Sequence, residues 1–307
     1  MELPLRPIME VARDLGLDSG SVMPLGRHKA KVDPRLSPGR QETGRLVLVS
    51  AITPTRAGEG KTTVSVGLVD GLSRSGVKAA ACLREPSLGP VFGIKGGGTG
   101  GGHAQVEPAN DINLHFTGDL HAVSSAHNLL AALVDNELHF GGMTGLVADT
   151  VTWARVLDVN DRALRSVTLA AGRRAERQSR FDITAASEIM AVMALASSVP
   201  DLRLRLGRIV VGTDAAGQAV TAADLQAVDA LLALLQDALQ PNLVQTRAGT
   251  PAFVHLGPFG NIAHGCSSVV ATRLAVRHAD VTVTEAGFGF ELGAEKFLHL
   301  KARQAGL

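Results

Sequence analysis

Tyrosine is absent from this chain, tryptophan occurs once, and aromatics make up 3 % of its 307 residues. So few rings offer no obvious stacking surface for a planar group. Cysteine is scarce too: Cys82 and Cys266 stand alone, without paired or metal-ligand spacing. That argues against a disulfide framework and suits a reduced, cytoplasmic protein in which both thiols pack as small apolar groups. An excess of one charge is also missing. The net charge is +1, so there is no electrostatic case for nucleic acid or an acidic membrane as a partner. No apolar run is long enough to span a bilayer, and the N-terminus lacks the apolar region of a signal peptide.

What the chain does have is glycine, 34 residues of it, and a hydrophobic content of 45 %. The hydrophobic content is ample for a core, in one large domain or two smaller ones. The glycines point to tight turns and to backbone brought close to a ligand. The most informative stretch is residues 53–63, Thr-Pro-Thr-Arg-Ala-Gly-Glu-Gly-Lys-Thr-Thr. It follows an apolar run, residues 46–52, that reads as a buried parallel strand, and it precedes residues 64–72, which start like a helix. Strand, Gly-Lys-Thr turn and helix together cradle nucleotide phosphates. Backbone N–H groups and the helix N-terminus face the anion, the lysine adds a point charge, and the threonine hydroxyl reaches Mg²⁺. The candidate nucleotide-binding residues are Thr53, Thr55, Arg56, Ala57, Gly58, Glu59, Gly60, Lys61, Thr62 and Thr63. Lys61 is expected on the β- and γ-phosphates and Thr62 on the metal; Thr63 reads equally well as helix N-terminal packing. Thr55 stands where the usual phosphate-turn pattern has its first glycine.

Three further segments belong with this turn. Residues 84–90, Arg-Glu-Pro-Ser-Leu-Gly-Pro, follow the second strand, residues 77–83. Ligands of open α/β sheets sit outside the carboxyl ends of the strands, so Arg84 is expected at the same crevice as Lys61, its planar fork suited to an anion. Residues 93–103, Gly-Ile-Lys-Gly-Gly-Gly-Thr-Gly-Gly-Gly-His, form a glycine run inside the α/β unit rather than between domains. It reads either as a flexible loop or as backbone wrapped round an anion, with Lys95 adding charge. Asn261 and His264 lie in a loop after a strand, and Glu285 ends another strand, where a carboxylate can order Mg²⁺ and its waters. His115, His121 and His127 recur every six residues, which is neither one helix face nor a metal pattern.

The pattern is α/β throughout. Residues 1–149 read as a nucleotide-binding core with an N-terminal arm whose helix stops at Gly16. Residues 150–240 read as an inserted α/β subdomain carrying an Arg-rich piece, residues 173–177, and a long helix over 222–239 that Thr221 could cap. Residues 241–307 resume the core, and the sequence reads as stopping inside a domain. The expected fold is a P-loop NTPase-like, mostly parallel sheet flanked by helices, with a smaller inserted α/β subdomain and a core incomplete at its C-terminus.

Taken together, the phosphate turn, residues 83–90, the Gly-Ile-Lys-Gly-Gly run and residues 111–119 (Asp-Ile-Asn-Leu-His-Phe-Thr-Gly-Asp) resemble formate–tetrahydrofolate ligases. Residues 153–162, 241–246 and 285–289 extend the resemblance to the last residue. It implies ATP-dependent activation of formate as formyl phosphate. The N10 amine of tetrahydrofolate then attacks, giving 10-formyltetrahydrofolate, ADP and phosphate. By the same resemblance Lys61 and Arg84 are the catalytic candidates. Lys61 and Thr62 would hold phosphates and Mg²⁺, Arg84 would hold formyl phosphate, and Glu85 matches a glutamate associated with an activating monovalent cation (K⁺ or NH₄⁺). Lys95, Gly96, Gly97, Gly101, Gly102 and His103 would form the formyl-phosphate loop, and Asp119 joins Asn261, His264 and Glu285 as further candidates. The resemblance also implies a homo-oligomer, commonly a tetramer. Against the family pattern, Arg56 stands for Pro, His28 and His103 for Tyr, Gly98-Thr99 for Ala-Ala and Phe290-Glu291 for Ala-Asp. By the resemblance, the chain is expected to cover little more than the family's N-terminal half and to lack the family's C-terminal folate-binding domain. A rival reading is therefore a catalytically incomplete fragment or remnant that binds nucleotide only. A partition-type P-loop ATPase rests on fold analogy alone.

Overall fold

The computed structural model describes residues 4–36, 41–55, 58–93, 97–170 and 176–307. A central sheet carries the fold. Its strands are β1 (Val22–Pro24), β2 (Ala30–Val32), β3 (Arg45–Val49), β4 (Ala79–Leu83), β5 (Ala104–Glu107), β6 (Asn242–Thr246), β7 (Pro251–Val254) and β8 (Val281–Glu285). The order is β1-β2-β6-β7-β4-β8-β3, with β5 joined to β6. The block β7-β4-β8-β3 is wholly parallel, while β1, β2, β5, β6 and β7 meet in antiparallel pairs. Connection length explains the change. Helix α2 (Lys61–Arg74) bridges β3 to β4, and α7 (Val269–His278) bridges β7 to β8, long enough for parallel crossovers. Between β6 and β7 only a tight turn intervenes, with Gly249 at φ +89°, and a turn that short allows only a hairpin.

The sequence of β4, Ala-Ala-Ala-Cys-Leu, shows why helices cover both faces. Ala80 and Cys82 pack with α7 and with α1 (Ile8–Asp14), whereas Ala79, Ala81 and Leu83 pack with Val66 and Val69 of α2. Alternation sends successive side chains to opposite layers, and small side chains let both helices approach closely. Gly16, at φ +65°, lies just beyond α1, and Gly76, at φ +84°, just beyond α2.

A separate core forms around α3 (Asp119–Phe140). Val123, Leu130 and Val134 of α3 pack with Met190 and Met193 of α4 (Glu188–Leu195), Leu202 and Leu206 of α5 (Val199–Gly207), and Leu231 and Leu235 of α6 (Val228–Leu235). The short strands between 155 and 221 pair among themselves and not with the central sheet. One expectation is corrected here: the helix over 222–239 is only α6. Gln226 adopts φ +53°, which a continuous helix cannot contain, and Thr221 instead closes a local turn with Asp224. Of the Arg-rich piece, residues 173–175 lie outside the described residues, and Arg177 pairs with Asp135 of α3 at 2.6 Å.

After β8 the chain forms π-helical turns at Phe290–Ala294 and Phe297–Ala302. They bury Lys301 completely, its Nζ donating to Thr272 Oγ1 at 2.7 Å. Burial lowers the lysine's pKa. Cys82 and Cys266 are both buried and unbridged. Among the described residues no helix is long and apolar enough to cross a membrane.

Candidate functional site

Because β7, β4, β8 and β3 are parallel neighbours, their carboxyl ends open on one edge, and four loops converge there. They enclose a cavity of about 520 Å³, within the usual range for a small-molecule site. The β3 loop brings Gly58, Glu59, Gly60, Lys61, Thr62 and Thr63 to its wall, the β4 loop Arg84, Glu85 and Ser87, the β7 loop Gly257, Phe259 and Asn261, and β8 Glu285 and Phe288.

In the turn after β3 Gly58 and Gly60 take left-handed backbone, φ +84° and +71°, which side chains would oppose. That bend delivers Lys61 to the first position of α2. Its Nζ donates to Glu59 Oε2 at 2.5 Å, and Glu59 Oε1 accepts the Thr55 N–H at 2.5 Å. The hydrogen bond from Lys61 holds the Glu59 carboxyl below the usual carboxylate range. Thr62 Oγ1 donates to Glu285 Oε2 at 2.8 Å, and Arg84 Nε lies 3.9 Å from Glu285 Oε1. That Nε is buried yet makes no hydrogen bond among the described residues.

Glu85 lines the same cavity but is 4 % exposed, and its Oε2 has no hydrogen-bond partner among the described residues. Burial, with Asp119 and Asp158 nearby and only Lys31 opposing them, pushes its pKa well above the ordinary carboxyl value. Gly257 matters here: a Cβ on it would sit 2.0 Å from the Glu85 carbonyl. Asp158 accepts from Ser87 Oγ at 2.5 Å and from the Leu88 N–H at 3.1 Å, fixing the β4 loop.

The other expected residues divide. Gly97, Gly98 and Gly100 line the cavity, and the Gly98 N–H donates to Asn113 Oδ1. Gly101, Gly102 and His103 do not. Gly100 and Gly101 pair with Gln105 and Ala104 in a hairpin whose exposed tip carries His103 outside the cavity lining. Thr53 and Thr55 are exposed on the approach to the turn. Asp119 is absent from the cavity wall: it forms a buried pair with Lys31 at 2.7 Å, backed by Asn242. His264 is also buried behind the wall. Neither ring nitrogen has a hydrogen-bond partner among the described residues, and burial lowers its pKa to about 3. Arg56, Ala57, Lys95 and Gly96 lie outside the described residues. Sequence reading missed Ser87 with Asp158, Lys31 beside Glu85, and the two rings Phe259 and Phe288. The available signal was the Gly-Pro-Phe-Gly stretch, residues 257–260, directly after a strand.

Fold and cavity together define an α/β protein with a glycine-rich, cation-bearing pocket at the carboxyl ends of parallel strands. The comparisons narrow this class. The family model for formate–tetrahydrofolate ligase matches residues 1–307. A formate–tetrahydrofolate ligase from Myxococcus xanthus (strain DK1622) is 58 % identical over 99 % of this chain and 56 % of its own length. One from Methylobacillus flagellatus (strain ATCC 51484 / DSM 6875 / VKM B-1610 / KT) is 57 % identical over 99 % of this chain and 55 % of its own length. The chain belongs to the formate–tetrahydrofolate ligase family. It spans 55–56 % of the length of these curated relatives.

Proposed function

We propose that this chain carries the ATP- and formate-binding half of a formate–tetrahydrofolate ligase, in which ATP phosphorylates formate and the formyl group passes to tetrahydrofolate as 10-formyltetrahydrofolate. The observation that carries this reading is the convergence of Lys61, Thr62, Arg84 and Glu285 on one cavity beside a glycine-walled turn. Lys61 and the turn's N–H groups would hold the phosphates in the manner of a P-loop NTPase. Arg84, whose Nε makes no hydrogen bond among the described residues, has donor capacity for the carboxylate and phosphate oxygens of formyl phosphate. Formate is a poor electrophile, and phosphorylation gives it a leaving group. The acyl phosphate hydrolyses easily, which favours a walled pocket of this kind.

The donor set fits the expected ions. Thr62 Oγ1 and the Glu285 carboxylate offer hard oxygens to Mg²⁺, which would neutralise phosphate charge when bound. Glu85 fits a monovalent cation: its Oε2 has no hydrogen-bond partner among the described residues, and burial beside Asp119 and Asp158 disfavours its ionised form, so a bound cation would supply the counter-charge that carboxylate needs. We read the protein further as a cytoplasmic homo-oligomer, by family resemblance a tetramer, with residues 150–240 as an inserted subdomain.

The test is formate-dependent ADP formation from Mg-ATP by the purified chain, with and without tetrahydrofolate, against Lys61→Ala. Turnover lost in the variant supports the assignment; equal turnover refutes it. Lys61-dependent ATP binding without turnover would favour the nucleotide-only reading, which the coverage of 56 % of the relatives' length motivates.

A further inference from the structure

The phosphate turn already holds an anion, and the anion is its own. Glu59 lies between the two kinds of donor such a turn offers a phosphate. One carboxylate oxygen takes the Thr55 backbone N–H and the other takes the Lys61 ammonium, both at 2.5 Å. The pair sits on the cavity wall, with side chains only 10 % (Lys61) and 14 % (Glu59) exposed. A carboxylate and a phosphate compete for the same charge-assisted hydrogen bonds. The single proton of the Thr55 N–H serves only one of them. Lys61 keeps spare protons, but a carboxylate held against its ammonium repels an arriving phosphate. From this geometry we infer that Glu59 is an internal placeholder for a phosphate: it pairs with Lys61 and the Thr55 N–H and must swing off when a polyphosphate arrives.

The inference rests on the nucleotide reading above and adds a cost and a motion to it. Wild-type affinity is reduced by the work of displacing Glu59, because the binding-competent turn is only a fraction of the empty population. In return, the turn does not present an unpaired ammonium to other small anions. Glu59→Gln keeps an amide oxygen for the Thr55 N–H but removes the charge that holds Lys61. Glu59→Asp is too short to span both donors and serves as a second variant should Glu59→Gln fold poorly.

The experiment is calorimetric binding of Mg-ATP and of inorganic tripolyphosphate to the purified chain, together with the ¹³C resonance of the Glu59 side-chain carboxyl during the tripolyphosphate titration. Glu59→Gln is expected to bind both probes about tenfold tighter and Glu59→Asp about threefold tighter. In wild type the Glu59 resonance should move to that of a free carboxylate as the turn fills. Weaker binding by Glu59→Gln would make Glu59 a positioning group for Lys61 and overturn the placeholder. A resonance that stays fixed through saturation would also overturn it, since Glu59 would then only repel anions from a distance. If wild type binds neither probe but Glu59→Gln binds both, the placeholder stands and nucleotide binding is gated by it. If no variant binds either probe, the nucleotide reading fails and the placeholder with it.

Discussion

Two lysine–carboxylate pairs stand close to the same wall of this molecule, and they are built for opposite ends. Lys31–Asp119, at 2.7 Å, is 3 % and 2 % exposed, and each member has further partners: Lys31 also reaches Gln240 O and Asn242 Oδ1, and Asp119 accepts from Asn242. Lys61–Glu59 is short as well, but it faces the cavity, and Lys61 has no further hydrogen-bond partner among those described. A buried pair that is fully satisfied fixes structure, whereas a pair with spare donors beside open volume is available to a ligand. The same distinction separates Asp119 from Glu285. Both are strand- or helix-end carboxylates by sequence, but only Glu285 reaches the cavity.

The comparison breaks most sharply on lysine substitution. Lys61→Ala should cost nucleotide affinity roughly 100-fold or more, the loss of a charge-assisted phosphate contact and the counter-charge with it. Its melting temperature should stay within about 2 °C of wild type, because a cavity-facing side chain adds little to packing. Calorimetric titration with Mg-ATP and a thermal melt on the same sample decide it. A large stability loss with binding intact would mean the two pairs had been assigned the wrong way round.

Asp119→Asn is the mirror experiment. Leaving Lys31 buried without its counter-charge should cost about 3–5 kcal/mol and lower the melting temperature by roughly 5–8 °C. A change of less than about 2 °C would show that Asn242 and the Gln240 carbonyl suffice to hold the ammonium, and that Asp119 is free for another role.

Much of this arrangement was legible in the sequence, and the limits were physical. The apolar runs of β3, β7 and β8 and the Gly-Lys-Thr turn have local signatures, so the loops around Lys61 and Arg84 could be expected at one crevice from the carboxyl ends of their strands, whereas Glu285 could be placed only at a strand end. The Lys31–Asp119 pair could not: its members are 88 residues apart, and nothing in either neighbourhood names the other. The antiparallel β6–β7 hairpin and the break at Gln226 were missed for a related reason. A continuous apolar pattern does not reveal which residue will leave the helical region. His264 kept its ambiguity because burial, which sets its protonation, is a tertiary property.

His255 extends the structural side of the comparison to pH. It is fully buried beside the Lys31–Asp119 pair, bonded to Ser268 Oγ at 2.7 Å and Ala238 O at 2.8 Å, and burial lowers its pKa from 6.5 to about 4. The unfolded chain takes up a proton near 6.5 that the folded chain refuses until about 4, so the contribution is full above 6.5 and is lost as pH falls through that window. A gap of that size corresponds to about 3 kcal/mol. His255→Gln should therefore make the acid limb of the stability curve shallower between those values, with His127, lowered to about 4, and His264, lowered to about 3, contributing to what remains. Denaturant melts at stepped pH measure it. An unchanged acid limb would show that the ring is already protonated in the fold.

The smallest effect belongs to His103, although it interrupts a family motif beside the expected site of the acyl phosphate. The hairpin between Gly100–Gly101 and Ala104–Gln105 sets its tip in solvent, away from the lining of the cavity. Among the described glycines of the run, Gly97, Gly98 and Gly100 bring backbone to the wall, and a Cβ on Gly100 would already meet the Ala104 carbonyl at 2.3 Å. His103→Tyr should then shift the melting temperature by under about 1 °C and Mg-ATP affinity by less than about twofold, as exposed substitutions away from a site do. Gly100→Ala, on the wall side of the same hairpin, should cost more on both measures, because the added methyl group displaces strand backbone and φ there is +87°. If instead His103→Tyr changed affinity tenfold while Gly100→Ala left it alone, the tip rather than the wall would meet the ligand. The hairpin would then have to fold over the cavity on binding, making it a moving part of the site like Glu59 and unlike the Lys31–Asp119 pair.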